Sequence, residues 1–309
     1  MIDNFISVIC ASKNEENDIL GLLTSFSSQE YQNKELIIVD DSSDRTRGVV
    51  NAYIQKSKKK NIILLEGAGE GCCPARNIGV EKAKGNIICY MTADSFFPDT
   101  SYLNHVSKKF DSDIDAYMPN SLVSNQQVLY ADFIHCWQQH KFKIRGEKYS
   151  PLTAQGYCVK KESAMVVGLI DTIESGKVPF NVCRDWTLVK KLDEYGFKKE
   201  FDKKCLVPHI APETLNDFVW THSQRGVISA GYNIFFREKS RPRVLLESSA
   251  KLFKTLLYFI TIIAPYNRAS TLMQYSSHRK DLFGFLKCDI LKSFSFHYGE
   301  ISSIFIFKK

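Results

Sequence analysis

Carboxylates that follow short apolar runs are the first residues in this sequence whose position could serve chemistry. The run 87–91 is long enough for a buried strand, and Asp94 comes shortly after it. A carboxylate at the carboxyl end of a buried strand points into the crevice where α/β proteins bind ligands. Beside a nucleotide diphosphate, it would hold a divalent cation. The same position suits an aspartate that only caps the segment, so Asp94 alone does not distinguish a ligand site from a structural cap.

Two further places have residue types suited to a phosphate-bearing ligand. Asp40 and Asp41 follow the apolar run 35–39, and Arg76 follows a loop with glycines at 67, 69 and 71. Arg76 is predicted at the start of a helix, and both guanidinium groups and helix N-termini bind phosphate oxygens. The acidic stretch 40–44 could equally be a capping loop, and Arg76 an ordinary ion-pair partner at the surface.

The elements that must position these side chains alternate regularly. Apolar runs at 5–11, 35–39, 61–65 and 87–91 predict strands, and stretches with helical spacing of apolar residues lie between them. This alternation predicts an α/β fold with a parallel, doubly wound sheet. Gly85 is predicted to cap the helix before the last of these strands.

The second half of the chain predicts three further elements. A helix opens near Asp185 and closes at Gly196, and a strand over 201–207 is followed by His209 just past its end. The basic stretch 237–243 contains a proline and predicts a linker. The stretch 244–263 predicts a single helix whose second half is apolar but too short to span a bilayer.

The positive charge lies at one end of the chain. The net charge is +7, and residues 237–309 carry 13 Lys and Arg against 5 Asp and Glu, a balance of +8. Because the longest apolar run lies there too, the pattern favours an anionic membrane surface as a partner. A helix packed on the rest of the chain or in a dimer is the alternative. No nucleic-acid motif or basic-aromatic groove is present, so nucleic acid is not an expected partner.

Cysteine usage and the N-terminus give an expectation about the compartment. The nine cysteines form no C-x-x-C pair, and an odd number without a framework favours a reduced protein. The first residues carry a charge and lead directly into an apolar strand, which does not fit a secretory signal. We expect a cytoplasmic protein, peripheral at the inner face of the cell membrane.

Six segments, in order along residues 5–235, resemble the family 2 glycosyltransferases of the GT-A fold. They are VICASKNE (8–15), IVDDSS (38–43), ARNIG (75–79), YMTAD (90–94), RDWTL (184–188) and HSQRG (222–226). Each segment alone is a weak signal, but six in the family's order are specific. The resemblance implies a GT-A domain that transfers a sugar from a nucleotide sugar to an acceptor with inversion at the anomeric carbon.

The resemblance also implies a donor site. Asp40 matches a position that accepts a hydrogen bond from the nucleotide base, and Asp41 matches one that serves the ribose or the helix N-terminus. Arg76 matches a position near the diphosphate, and Arg225 lies in a segment that matches a mobile loop over the donor. The implied nucleotide-sugar-binding residues are Asn14, Glu15, Asp40, Asp41, Arg76, Ala93, Asp94 and Arg225.

The metal ligands and the catalytic base are implied in the same way. Asp94 would bind Mn²⁺ or Mg²⁺, and His209 matches a position that completes this shell in some relatives, although a lone histidine is often only a core or surface residue. Thr92 stands where the family usually has the first acidic residue of its metal motif. Asp185 matches the general base, and a helix N-terminus would keep its carboxylate ionised.

The expected organisation is a GT-A domain over 1–236 and a helical, membrane-associating extension over 237–309. We expect an inverting glycosyltransferase that acts on a glycan or lipid-linked acceptor in surface-glycan synthesis. Thr92 keeps open an alternative, a catalytically silent GT-A module that binds a nucleotide sugar or a partner. A sugar nucleotidyltransferase is a second alternative, but residues 11–17 lack that class's glycine-rich phosphate loop.

Overall fold

The computed structural model describes residues 4–145, 155–166, 185–235, 237–261, 263–277 and 281–306. By internal contacts the chain forms two compact units, which are considered separately. The first holds the described residues within 4–122, 155–166 and 185–209, and the second those within 123–145 and 210–306. The helix before residue 236 therefore groups with the C-terminal helices, whereas the predicted division placed it with the N-terminal domain.

A seven-stranded sheet organises the first unit, in the order β3-β2-β1-β4-β6-β5-β7. Its strands are β1 (Ile6–Ser12), β2 (Lys34–Asp40), β3 (Ile62–Glu66), β4 (Ile87–Thr92), β5 (Ala116–Val123), β6 (Tyr157–Lys160) and β7 (Lys199–His209). Strands β3, β2, β1 and β4 pair in parallel, which confirms the predicted α/β architecture. Strand β6 runs antiparallel to β4 and β5, so the sheet is mixed beyond β4.

The helices of the described residues follow the predicted alternation up to β4 and then continue into the second unit. They are α1 (Ile19–Ser27), α2 (Thr46–Ser57), α3 (Cys72–Lys82), α4 (Tyr102–Phe110), α5 (Leu129–Arg145), α6 (Lys161–Val166), α7 (Asp185–Glu194), α8 (Leu215–Phe235), α9 (Arg241–Ile260), α10 (Ile263–Met273) and α11 (Leu282–Ile306).

Burial on both faces explains why the first strands are almost continuously apolar. Alternate residues of β1 and β2 point to opposite sides of the sheet, so Val8 and Leu36 join one core cluster while Ile9 and Ile37 join another. Helices cover both faces of a parallel sheet, and its central strands therefore lack the polar face of an exposed sheet.

Two predicted helix boundaries near the sheet are wrong. Helix α3 begins at Cys72 and not at Arg76, which lies in its second turn. Pro74 falls in the first turn, where proline is tolerated. Helix α3 ends at Lys82, and Gly85 does not cap it. A Cβ on Gly85 would lie 2.4 Å from the carbonyl oxygen of Phe5, so this glycine permits close approach to the chain entering β1.

The C-terminal boundaries also differ from the prediction. Helix α9 begins at Arg241 with Pro242 in its first turn, so the end of the predicted linker is helical. The predicted single helix over 244–263 ends at Ile260, and α10 begins at Ile263 with Pro265 in its first turn. No helix among the described residues combines the length and the apolar content needed to cross a membrane.

Two glycines allow α8 and α11 to pack with their backbones in contact. A Cβ on Gly226 of α8 would lie 1.9 Å from the carbonyl oxygen of Phe296, and a Cβ on Gly299 of α11 would lie 1.9 Å from that of Ser223. Each glycine thus faces the backbone of the other helix. This crossing fixes the position of the HSQRG segment within the second unit.

Gly226→Ala should destabilise the protein, because its methyl group would meet backbone atoms that cannot move aside alone. We expect a loss of about 1–3 kcal/mol or more in the free energy of unfolding, measured by urea denaturation. The matched control is Gly48→Ala in α2, where an added Cβ meets nothing within 4 Å. This control should stabilise the protein by about 0.5–1 kcal/mol. A Gly226→Ala variant as stable as wild type would contradict the described crossing.

Candidate functional site

The carboxyl ends of β1, β2 and β4 lie in register at one edge of the sheet. Ser12 pairs with Asp40, and Ala11 pairs with Thr92. The strand order reverses between β1 and β4, since β2 and β3 lie on one side of β1 and β4 on the other. Ligands of open α/β sheets bind at such a switch point. The segments that follow these strands carry most of the predicted donor-site residues.

Asp40, the last residue of β2, is completely buried and closely surrounded by hydrogen-bond donors. Its Oδ1 accepts hydrogen bonds from Ser12 Oγ at 2.6 Å and Ser42 Oγ at 2.7 Å. Arg47 Nε lies 3.4 Å from its Oδ2. These contacts compensate the buried charge and join the ends of β1 and β2 to α2. The contact of Asp40 with a nucleotide base stays a prediction. The base would be one more hydrogen-bond partner for a carboxylate that already has several.

Asn14 ties the loop after β1 to the loop after β2. Its backbone N–H donates to Ser42 Oγ at 2.7 Å, and its Oδ1 accepts from the Ser43 N–H at 2.9 Å. Asn14 has a φ of 61°, a left-handed conformation that asparagine tolerates better than most residues. Its described role is therefore to hold two loops of the site together.

Asp41 makes the corresponding link to the loop before α3. Its Oδ1 accepts a hydrogen bond from the Gly69 N–H at 2.8 Å. A Cβ on Gly67 would lie 2.2 Å from the same oxygen, so the loop can approach Asp41 only with a glycine at 67. The glycine-rich stretch is thus fitted to an acidic side chain of the site.

Glu15 has a carboxyl pKa well above its ordinary value. Burial, followed by the negative charges of Asp94, Asp18 and Asp44, raises the pKa of Glu15 to about 7. Its backbone N–H donates to Thr46 Oγ1 at 2.8 Å, which holds the residue against the start of α2. Glu15 follows β1 and Asp94 follows β4, so two mutually repelling carboxyls meet at the switch point.

Arg76 adds a positive charge to this acidic region. Its side chain is 5 % exposed. Burial raises the pKa of the Cys10 thiol in β1; the Arg76 charge opposes this shift, while Glu15 and Asp94 add to it. All three charges therefore act on the same buried thiol. A phosphate group here would meet Arg76 directly, and the carboxyls through a cation.

Asp94 is oriented by a short polar turn after β4. Thr92 Oγ1 and Ser95 Oγ are hydrogen-bonded, and Ser95 Oγ lies 3.3 Å from Asp94 Oδ1. Ala93, between Thr92 and Asp94, is 3 % exposed and fixes the turn against the core. Thr92 thus acts here as a hydrogen-bonding partner within the turn and adds no charge to it.

His209 is brought to the same turn, since it forms an isolated antiparallel bridge with Ser95. It is the last residue of β7 and not a residue beyond the strand, as the sequence predicted. Its Nδ1 lies 3.1 Å from both the Leu122 carbonyl oxygen and Ser121 Oγ. Because a carbonyl oxygen only accepts, Nδ1 is the donor in its contact with Leu122, and Nε2 is the ring nitrogen that a metal would use.

The donor atoms around Asp94 make an incomplete cation site by themselves. Asp94 and His209 come from neighbouring segments and supply one oxygen and one nitrogen ligand type. Among the residues that the structure describes, no group of three or more His, Cys, Asp or Glu is arranged to hold a metal ion. The set fits a cation whose remaining ligands come from phosphate oxygens and water.

Asp185, the predicted catalytic base, belongs to the first unit, and Arg225, the predicted loop arginine, belongs to the second. Asp185 is the first described residue of α7, while its side chain, that of Trp186, and all of Arg184 lie outside the described structure. Arg225 lies in the middle of α8, in the second unit. The expectation that its segment is a mobile loop is therefore wrong, because it belongs to a helix of 21 residues.

Sequence reasoning missed the side chains that assemble these loops. Ser12, Arg47 and Thr46 hold Asp40 and Glu15 in place, but single hydroxyl groups and a surface-type arginine carry no motif of their own. Only their positions could have indicated a role, because each of these three residues lies within one turn of a predicted strand end or helix start.

Comparison with known proteins identifies the family. The family model described as "Glycosyl transferase family 2" matches residues 7–171, more than half of the chain, and the chain belongs to this family.

The chain is 34% identical over 103 residues to an Escherichia coli protein named UDP-Glc:alpha-D-GlcNAc-diphosphoundecaprenol beta-1,3-glucosyltransferase, covering 33% of this chain and 39% of that one. It is 24% identical over 244 residues to the poly-beta-1,6-N-acetyl-D-glucosamine synthase of Staphylococcus epidermidis, covering 75% and 56%. The chain spans about half the length, or less, of these curated relatives.

A solved structure shares the fold. A mannosyltransferase from Pyrobaculum calidifontis, solved in complex with GDP-Man and Mn²⁺, superposes with a TM-score of 0.63 at 16% identity, covering 100% of this chain and 89% of that one. At this identity the likeness shows the fold alone. The mixed, mostly parallel sheet is therefore the GT-A fold, as the sequence predicted, and helices follow it toward the C-terminus.

Glu15→Gln should change how the free energy of unfolding depends on pH. The pKa of Glu15 in the folded protein, about 7, lies above its ordinary value of 4.5, so the folded state holds the proton more tightly between these values. Relative to the glutamine variant, wild type should lose about 1–3 kcal/mol of stability as pH rises from 4.5 to 7. Chemical denaturation in EDTA at several pH values measures this difference. Parallel stability curves would contradict the described environment of Glu15.

Proposed function

We propose that the chain is an inverting glycosyltransferase that moves a sugar from a nucleotide-diphosphate sugar to a glycan or lipid-linked acceptor. The observation that carries the proposal is that the ends of β1, β2 and β4, which lead to Glu15, Asp40 and Asp94, lie in register at the switch point of the sheet. Family membership and the names of the relatives, which act in polysaccharide and lipid-linked glycan synthesis, support the substrate class.

The donor would bind across the loops that follow β1, β2 and β4. Its base and ribose would lie toward Asp40 and Asp41, and its diphosphate toward Arg76 and Asp94. Asn14, Glu15 and Ala93 shape this edge, and Arg225 keeps its predicted donor-binding role. Asp94 and His209 would hold Mn²⁺ or Mg²⁺, whose charge would neutralise the departing diphosphate.

Asp185 is the proposed general base of a single displacement. The acceptor hydroxyl oxygen forms a bond to the anomeric carbon, and the bond from that carbon to the diphosphate oxygen breaks. The proton of the hydroxyl passes to the Asp185 carboxylate as the new bond forms. Attack from the side opposite the leaving group inverts the configuration at that carbon.

A silent nucleotide-sugar-binding module is the second candidate function. Thr92 favours it, because the turn that would hold a metal has one carboxylate, Asp94, where the family usually has two. The two candidates agree on donor binding and differ only in transfer, so an experiment that measures both separates them.

Asp185→Asn should abolish transfer while leaving donor binding nearly intact. The amide cannot take the acceptor's proton, so the transfer rate should fall by about 10² to 10⁴, the usual contribution of a general base. Donor affinity, measured by calorimetry with UDP-, GDP- and dTDP-sugars, should change only a few-fold. Near wild-type transfer would exclude Asp185 from the mechanism, and a wild type that binds donor without transfer or hydrolysis would support the silent module.

Asp94→Ala is the matched variant for the donor side of the same experiment. It should lose the part of donor affinity that depends on Mn²⁺, because it removes the carboxylate proposed to hold the cation. Thr92→Asp should strengthen that dependence by adding a second carboxylate. Wild-type donor affinity that EDTA leaves unchanged would exclude the metal.

The C-terminal helices would place this enzyme on an anionic membrane surface. Leu246, Phe253, Leu257 and Ile260 of α9 are 72%, 61%, 48% and 71% exposed. Their spacing of seven, four and three residues puts them on one face of the helix. Exposed lysines lie on the same helix, and residues 237–309 carry the balance of +8. An apolar face flanked by lysines suits the inner surface of a cell membrane.

Phe253→Ser combined with Ile260→Ser should reduce binding to vesicles. Both residues are exposed, so the substitutions should leave stability nearly unchanged while removing apolar contact with lipid. Co-sedimentation with vesicles that contain phosphatidylglycerol measures the effect, and neutral vesicles should bind weakly from the start. Tyr195→Ser, at an exposed aromatic residue of the first unit, is the control. Equal sedimentation of all three proteins would contradict membrane docking through α9.

A further inference from the structure

A shallow groove of about 550 Å³ runs along one face of α1 in the first unit. It is called here the α1 groove, and it is lined by Asn17, Leu20, Gly21, Thr24, Ser25 and Phe96. Leu20, Gly21 and Thr24 are neighbours on the exposed face of α1, and Asn17 comes from the loop before the helix. Phe96 comes from the turn after β4, so the groove is built from two segments that are far apart in the sequence.

Backbone contacts on both sides hold Phe96 at the groove. Its N–H donates to the carbonyl oxygen of Pro208 in β7 at 3.2 Å. The N–H of Phe97 donates to Ser25 Oγ of α1 at 3.1 Å, and the Phe97 side chain is buried in the core. The side chain of Phe96, by contrast, is only partly buried. An aromatic ring is therefore fixed beside an exposed helix face while part of its surface stays accessible.

Gly21 leaves this ring uncovered on the side of α1. A Cβ on Gly21 would have Phe96 Cδ1 as its nearest neighbour, at 3.9 Å, which is an ordinary van der Waals distance. Gly21 is also not one of the glycines with a positive φ. Neither close approach nor backbone conformation therefore requires a glycine here, although glycine within a helix costs stability. What the missing side chain does provide is an open groove beside the ring.

The lining combines apolar surface with uncharged polar groups. Leu20 is 49% exposed, and together with Phe96 it supplies the apolar part. The amide of Asn17 and the hydroxyl of Thr24, both on exposed residues, can donate and accept hydrogen bonds. None of the six lining residues is ionisable. A sugar ring has the matching chemistry, because its C–H groups pack on an aromatic surface and its hydroxyl groups exchange hydrogen bonds at the edge.

We propose that the α1 groove binds an uncharged sugar of the acceptor glycan. Phe96 lies two residues after Asp94, and Asn17 lies two residues after Glu15, so the groove begins where two loops of the candidate site end. A nucleotide-diphosphate donor needs charged partners, which the groove lacks, whereas a neutral glycan does not. The volume lies within the range of about 300–1,000 Å³ that is usual for small-ligand sites. The inference rests on the proposed function for its substrate class.

Gly21→Leu tests the α1 groove by filling it. Leucine is a better helix former than glycine, so the midpoint of urea unfolding should not fall. Ligand-observed NMR titrations of the full chain use neutral tetrasaccharides of glucose, galactose, mannose and N-acetylglucosamine. The affinity for the tetrasaccharide that wild type binds best should fall at least about tenfold. Thr24→Val keeps the shape of the side chain but removes its hydroxyl group, and it should weaken the same affinity several-fold.

Gly48→Leu is the matched control. It makes the same substitution at an exposed position of α2, where an added Cβ meets nothing within 4 Å. It should retain the urea midpoint of wild type and also its tetrasaccharide affinity. Equal tetrasaccharide affinities in wild type and Gly21→Leu would overturn the proposal, and so would a wild type that binds none of the tetrasaccharides.

Donor titrations separate the acceptor glycan from the sugar of the donor. The affinities for UDP-, GDP- and dTDP-sugars should be the same in wild type, Gly21→Leu and Gly48→Leu. A Gly21→Leu variant with weakened donor binding and unchanged tetrasaccharide binding would assign the groove to the donor and overturn the proposal.

These outcomes are independent of whether the chain transfers sugar. A wild type that binds tetrasaccharides through the α1 groove but transfers no sugar would remove the proposed function and leave the groove's role intact. Conversely, a groove without a role in glycan binding would leave the Asp185→Asn and Asp94→Ala experiments unaffected.

Discussion

A buried carboxylate is tolerated only when neighbouring groups compensate its charge, and Asp40 imposes this constraint on the edge of the sheet. Its partners come from three elements, namely Ser12 of β1, Ser42 of the next loop and Arg47 of α2. The hydrogen bonds and the ion pair that compensate the Asp40 carboxylate therefore fix three segments relative to one another. Ser42 also accepts the N–H of Asn14, so the loop that carries Glu15 depends on the same arrangement.

The electrostatics of the site follow from where these loops are held. Burial raises the pKa of Glu15, and the negative charge of Asp94 across the switch point raises it further. An aspartate at 92 would add a further carboxylate to this region and increase the repulsion in the absence of a cation. Thr92 avoids that charge and hydrogen-bonds Ser95, which contacts Asp94. The turn thus retains an oriented carboxylate at a lower electrostatic cost.

The sheet and most of the donor-side residues could be predicted because their signals are local. Strands buried on both faces read as apolar runs, and the polar residues just after them lie at the ligand edge. The start of α3 and the role of Gly85 could not be predicted, since both depend on contacts with distant parts of the chain. The antiparallel β6 depends on pairing with β4, about 70 positions earlier in the chain, and no local pattern specifies it.

The same reasoning explains why the HSQRG segment was recognised but its role was misjudged. Its resemblance to a family motif suggested a mobile loop, whereas Gly226 places it in a helix whose backbone touches α11. A larger residue at 226 would separate the two helices. Glycine in a helix interior costs stability. Here the missing Cβ permits the close backbone contact between α8 and α11. The motif is visible in the sequence, but the contact that explains Gly226 is with Phe296, about 70 positions later in the chain, and no local pattern specifies it.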